Sequence, residues 1–307
     1  MEYILQTNHL CKRYKNQYVL SNVCMNISKG DIYGFVGENG SGKTTIIRLI
    51  TGLIFPTKGT FELFGVKNTD SNVLKVRNKV GAIVESPSIY HNMTAYENLK
   101  TQATILGVND EEKIKEVLKD VGLFDLYNSN KKAGNFSLGM RQRLGIAMAL
   151  LGNVEFLILD EPMNGLDPAG IVEIRELILK LNKERNITFL ISSHILTELA
   201  LVATKYGIIS KGKIIKEISN EQLRNECRKS VIIQTNDNDK LYELLQTMFE
   251  KENLINNGNE IKVYGDIDLN KTLSKIIKAK LEIHSIKCSE TNIEDYYLSL
   301  IGGSHNA

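Results

Sequence analysis

The run GENGSGKT, Gly37 to Thr44, sets glycines beside a lysine and a hydroxyl in the order that cradles phosphate. Gly37, Gly40 and Gly42 let the backbone wrap closely around phosphate oxygens. Successive N–H groups and the start of the next helix then point at the anion. Lys43 adds a point charge for the β- and γ-phosphates, and Thr44 offers a hydroxyl to Mg2+. Glu38, Asn39 and Ser41 complete the loop, Thr45 follows it, and the whole stretch reads as a nucleotide-binding segment. Far downstream, EFLILDEP ends an apolar run in adjacent carboxylates. Asp160 can hold the water shell of Mg2+, and Glu161 can polarise an attacking water. His194 lies just past ITFLISS, on the edge where strands of such sheets present ligand groups. The chemistry these residues suit is phosphoryl transfer to water. It needs a positioned nucleophile and charge stabilisation rather than covalent catalysis. A glycine-rich surface turn, a carboxylate pair capping the next helix or a structural histidine would each explain one motif alone. The phosphate loop weakens the last two of those readings.

These residues need rigid carriers. IYGFVG is a buried-strand pattern that runs straight into the loop, and TTIIRLITGL reads as the helix after it. VGAIVES, EFLILD and ITFLISS are further short β-rich runs, each followed by a helical or turn segment. That alternation predicts α/β architecture with a mostly parallel sheet. No strand pattern occurs between Glu85 and Leu151; AYENLKTQATILG, DEEKIKEVLKDVGL and RQRLGIAMALLG read as a helical insertion over about 86–150. The first part of the chain is expected to span 1–217. Over 218–307, KSVIIQT, NEIKVYG and LEIHSIK read as strands alternating with helices DKLYELLQTMF and LNKTLSKIIKA. With a short strand at NLIN and a closing helix NIEDYYLSLIG, the tail fits a small ferredoxin-like α+β domain.

Composition sets limits on function. A net charge of +2 over 307 residues does not point to nucleic acid or to strong membrane-surface attraction. No apolar run reaches the roughly 18 residues of a spanning helix. MEYILQTNHL lacks a signal-peptide pattern, so the chain is expected in the cytoplasm. Cys11, Cys24, Cys227 and Cys288 show no CxxC spacing and read as reduced thiols. The other histidines, His9, His91, His284 and His305, have no motif around them.

FSLGMRQRLGIAMALLGNVEFLILDEP, together with the phosphate loop in this order, resembles the ATP-binding subunit of an ABC transporter. Ser137 can cap the helix that follows it, and Gly139 permits close approach to an anion. Ser137, Leu138, Gly139 and Met140 stand where the family has its signature loop LSGGQ, with Leu for the first Gly and Met for Gln. The resemblance covers residues 3 to 217 and implies the fold of that family. This is a P-loop NTPase core with an antiparallel β subdomain and a helical subdomain. It implies that Ser137, Gly139 and Met140 contact the γ-phosphate of ATP held by a second copy. It also implies that His194 contacts the γ-phosphate, Tyr14 stacks on adenine, and Asp167 crosses the dimer interface. Most family members have Gln where this chain has Glu85, as an Mg2+ ligand facing the membrane subunit. A carboxylate at Glu85 resembles the bacitracin-resistance and lantibiotic-immunity exporters.

The resemblance therefore implies an ATPase with ATP and Mg2+, working as a head-to-tail homodimer on a separate membrane permease. Such a subunit would sit peripherally on the inner face of the cell membrane and energise export of antimicrobial peptides. Other readings remain open. One is a non-transport ABC ATPase and another an ATP-binding module that senses rather than pumps. A P-loop GTPase lacks support, since no NKxD-type guanine motif follows the carboxylate strand.

Overall fold

A computed structural model describes the chain except Met1, Asn109, Arg228, Asp266, 290–292 and 303–307. His305 therefore lies outside the described residues, as does Asn292 at the start of the expected closing helix. The chain divides into two compact units, Met1–Asn220 and Glu221–Ala307.

The first unit is built on a six-stranded sheet. Its order is Lys213–Ser219, Lys205–Ser210, Ile32–Val36, Thr188–Ser193, Phe156–Asp160, Val80–Ile83. All neighbours run parallel except the antiparallel edge strand Lys213–Ser219. Every residue of Ile32–Val36, Phe156–Asp160 and Thr188–Ser193 is buried. Strands covered on both faces need unbroken apolar runs, which is why IYGFV, FLILD and TFLISS lack alternation. Register fixes the site. Val36 pairs with Ser193 and Asp160 with Ser192, so the phosphate loop, His194 and the carboxylate pair leave three adjacent strands at one level.

A second sheet, antiparallel, has the order Gln17–Ser28, Tyr3–Tyr14, Lys58–Leu63, Val66–Lys67. Leu5, Leu20, Met25 and Phe61 from it share one core with Phe35, Ile47, Phe156 and Leu190. Burying each such side chain stabilises by about 1.5–3 kcal/mol, which locks the sheet onto the phosphate-loop helix. The helical insertion holds Ala95–Leu106, Glu111–Asp120 and Leu138–Ala149. Thr94 and Glu97 form a reciprocal capping box on the first of these helices.

The second unit carries an antiparallel sheet in the order Leu254–Asn256, Ile261–Tyr264, Ser230–Thr235, Ile283–Ser289. Helices Asn238–Gln246 and Leu269–Lys278 connect these strands in βαββαβ sequence, which is ferredoxin-like topology. Helix Asn220–Glu226 precedes this sheet and was not expected from sequence. No helix among the described residues is long and apolar enough to cross a membrane.

Candidate active site

Gly40 and Gly42 take left-handed backbone, φ 79° and 114°, which only glycine adopts without strain. Gly42 is the N-cap of helix Lys43–Thr51 and offers no side-chain cap, so the first amides of that helix face outward. At Gly37 a Cβ would meet Ile209 O at 2.5 Å and Ser41 Oγ at 2.6 Å, so this position admits no side chain. The buried Ser41 hydroxyl makes no hydrogen bond with protein. Lys43 is 5% exposed; its ammonium donates to Gly37 O at 2.6 Å and Glu38 O at 3.2 Å. It also lies 3.3 Å from Glu161 Oε1. The cation is thus aimed at the loop mouth by the loop's own carbonyls.

Asp160 is 3% exposed and accepts from Ser192 Oγ at 2.5 Å. The same hydroxyl accepts from the Glu161 N–H at 2.9 Å. Glu161 has φ 47°, a left-handed conformation that costs an ordinary residue about 1–2 kcal/mol. Ser192 holds it there. The Glu161 carboxylate then spans two cations or donors, with Oε1 toward Lys43 and Oε2 2.9 Å from His194 Nδ1. Lys43, Asp160, Glu161 and His194 form one constellation, while Thr44 is half-buried in the first turn of the helix. Ser192 was not singled out from sequence, although ISSH places it two residues before His194. Ser192→Ala removes both bonds. We expect kcat to fall by about tenfold, equivalent to ~1.4 kcal/mol, with a smaller change in KM. Steady-state ATPase kinetics check this, and an unchanged kcat would deny Ser192 the role.

Glu85, Tyr14, Ser137, Gly139, Met140 and Asp167 share no hydrogen bond or ion pair with that constellation among the described residues. Glu85 leaves the edge strand with φ 68° and is 62% exposed. Its carboxylate is bonded by Arg48, from the phosphate-loop helix. No hydrogen bond or ion pair joins Glu85 to Thr44 or Asp160 among the described residues. Arg48 is a second residue that sequence reasoning missed as a functional partner, although it follows Lys43 on one helix. Tyr14 ends strand Tyr3–Tyr14 with its ring exposed and Lys12 Nζ 5.1 Å above the centroid. The same hairpin backs the loop, since a Cβ on Gly42 would meet Leu20 Cδ2 at 2.6 Å.

Ser137 caps helix Leu138–Ala149, accepting from Met140 N at 3.2 Å. Asp167 caps helix Pro168–Arg185, accepting from Gly170 N at 3.1 Å. Each cap contributes about 1 kcal/mol. These two helix starts line one groove, which includes Gly139 and Asp167. Met140 spends its amide on the cap, leaving those of Leu138 and Gly139 for an incoming anion.

The family model described as ABC transporter matches residues 20–164. The bacitracin transport ATP-binding protein BcrA of Bacillus licheniformis is 44% identical over 305 residues, covering 99% of each chain. The chain belongs to the ABC transporter ATP-binding proteins. The lantibiotic transport ATP-binding protein SrtF of Streptococcus pyogenes is 44% identical over 214 residues, 70% of this chain and 90% of that one. Among solved structures, an ABC transporter component from Clostridium perfringens, cbiO1, is 27% identical with a TM-score of 0.66. It covers 74% of this chain and 92% of its own. A dimeric ATP-binding cassette in a post-hydrolysis state with ADP and Pi is 26% identical with a TM-score of 0.62, over 70% of this chain and 98% of its own.

As an ABC ATPase, this chain binds and hydrolyses ATP, and its loop suits the triphosphate. The donor set also suits Mg2+. Thr44 and Asp160 offer hard oxygens, with the second Asp160 oxygen left over from the Ser192 bond. No group of three His, Cys, Asp or Glu side chains among the described residues could hold a metal unaided. Phosphate oxygens and water would supply the remaining ligands, as Mg2+ prefers.

Proposed function

We propose that this ABC ATPase hydrolyses MgATP at two composite sites in a head-to-tail pair of identical copies. Its cycle drives a separate membrane permease that exports antimicrobial peptides of bacitracin or lantibiotic type. The peptide assignment rests on the full-length likeness to BcrA, which extends through the C-terminal unit. The composite site rests on the groove at Ser137, Gly139 and Asp167. Neither Lys43 nor any other phosphate-loop residue lines it, so its open amides need an anion brought by another copy. The two-fold pairing that closes both sites at once is isologous.

Within each site Thr44 and Asp160 would hold Mg2+, which would supply charge neutralisation at the phosphates. Glu161 orients the attacking water and takes its proton. His194 fixes the Glu161 carboxylate and faces the γ-phosphate. Tyr14 offers an exposed ring for adenine once Lys12 moves aside. Glu85 enters as a contact toward the permease, and the carboxylate oxygen that Arg48 does not hold is offered to Mg2+. A groove of mixed character, lined by Leu53, Ile83, Pro87 and Met148 with Ser86 and Gln102, opens beside that strand end and offers a permease segment both apolar and polar contacts. The subunit then works at the inner face of the cell membrane through its partner.

Mixing two inactive variants tests the composite site. A dimer of one Lys43→Ala chain and one Ser137→Arg chain keeps one intact site and puts both lesions in the other. Activity should return on mixing, to about a quarter of wild type if chains pair at random and one site turns over alone. No recovery in demonstrated mixed dimers would remove Ser137 from the partner's site. For the peptide assignment, cells carrying the chain with its permease should survive bacitracin or lantibiotic challenge. That protection should vanish with Glu161→Gln.

A further inference from the structure

The antiparallel sheet carries a side-chain cluster that the ATP chemistry does not use. Strands Tyr3–Tyr14 and Gln17–Ser28 are both irregular in register near their middles, where His9 has φ 47° and Asn22 has φ 59°. Such bulges take amides out of the ladder and leave them seeking acceptors. Cysteine sulfurs accept both. The His9 N–H donates to Cys24 Sγ at 3.3 Å, and the Asn22 N–H donates to Cys11 Sγ at 3.2 Å. The Cys11 thiol donates to the His9 carbonyl at 3.4 Å. His9 Nδ1 lies 3.8 Å from Cys24 Sγ and is also hydrogen-bonded to Asn22 Oδ1. His9, Asn22 and Cys24 are exposed and Cys11 is half-buried, whereas Leu10 and Val23 between them enter the core. The cluster therefore occupies the outer face of the hairpin, with both sulfurs held against one residue, His9.

We propose that Cys11 and Cys24 form a peroxide-sensitive dithiol, with His9 as its positioning residue. The thiolate is the reacting form of cysteine, and each sulfur already accepts an N–H that remains bonded when the thiol proton leaves. Cys24 is the more exposed and has the imidazole beside it, so it reacts first. Its sulfur attacks one oxygen of hydrogen peroxide. The S–O bond forms, the O–O bond breaks, and the departing hydroxide takes a proton to become water. The Cys11 sulfur then displaces the sulfenic oxygen as a second water, forming S–S. In sum, two thiols lose two electrons and two protons, and one peroxide becomes two waters. Cys11 and Cys24 are diagonal neighbours on one face of the antiparallel pair, about 7–8 Å apart in such ladders, so closing the disulfide draws the irregular hairpin together. A link here pins the hairpin that presses Leu20 against Gly42. The inference does not depend on which peptide is transported or whether any is.

The full chain treated with hydrogen peroxide, alkylated and digested with trypsin without reduction gives a direct readout. Cleavage at Lys12, Arg13, Lys15 and Lys29 separates segment 1–12 from segment 16–29, so a Cys11–Cys24 link joins two peptides. That joined species should dominate and disappear with dithiothreitol. Cys288, exposed in the second unit, is the internal comparison and should react more slowly. Cys11→Ser should leave Cys24 as a trappable sulfenic acid. His9→Asn, which tolerates the left-handed backbone, should slow loss of the Cys24 thiol by about tenfold while Cys288 is unaffected. Equal rates at Cys24 and Cys288, or peroxide consumption that yields no joined peptide in wild type, would overturn the dithiol. An unchanged rate in a folded His9→Asn chain would remove His9 from the role.

Discussion

Glu161→Gln is expected to bind ATP and to lose turnover by ~10²–10⁴-fold, the range for one positioned general base. Glutamine preserves the volume of a side chain that is 22% exposed and wedged between Lys43 and His194. It cannot preserve the chemistry. Its single carbonyl oxygen can accept from Lys43 or from His194, and its amide end then meets the other donor. It also cannot take a proton from water. ATP should consequently persist in the site and hold the paired copies together. Sedimentation in MgATP, run beside an ATPase assay, distinguishes the outcomes. A monomeric variant with near-normal turnover would exclude Glu161 as the base.

Lys43→Ala should lose ATP affinity itself, by about tenfold to a hundredfold, since hydrogen bonds to a charged group contribute roughly 1.5–3 kcal/mol. No other cation contacts the loop carbonyls of Gly37 and Glu38 among the described hydrogen bonds. The substitution also leaves Glu161 without its nearby cation, so part of the loss is reorganisation of the site. Lys43→Met retains the buried stem without the charge and separates the two contributions. Equilibrium binding of a fluorescent ATP analogue is the measurement. Unchanged affinity in a folded Lys43→Met chain would contradict the assignment.

Local sequence carried the parts of this site that are local in physics. The phosphate loop is one contiguous run, and the strands bearing Asp160 and His194 are short apolar runs with nothing ambiguous at their ends. Helices such as Ala95–Leu106 and Glu111–Asp120 announced themselves by periodicity, and the structure adds their N-caps, Thr94 and Asp110. Pairings across the fold were not legible. Ser192 reaches Asp160 from a neighbouring strand, 32 residues away in the chain, and Arg48 meets Glu85 across 37. No spacing rule links such residues. The antiparallel sheet was expected only through the family resemblance. Register shifts around His9 and Asn22 interrupt the period-2 pattern that would have exposed both long strands. In the tail the alternation of strands and helices was enough to expect the ferredoxin-like order, in which Ser230–Thr235 pairs with both Ile261–Tyr264 and Ile283–Ser289.

The two units bury separate cores, one around Leu20, Phe35 and Phe156 and the other around Ile233, Leu241, Ile261 and Ile276. Chains of more than one domain depart from all-or-none melting, so a calorimetric scan of this chain is expected to show more than one transition. The residues assigned to the nucleotide site all lie within the first unit. At a hundred times its dissociation constant a ligand adds about 2.7 kcal/mol to the stability of the folded unit that holds it. In a calorimeter the transition that moves with nucleotide thereby labels the ATPase unit, and each ligand and each variant of that unit can be read from the same shift.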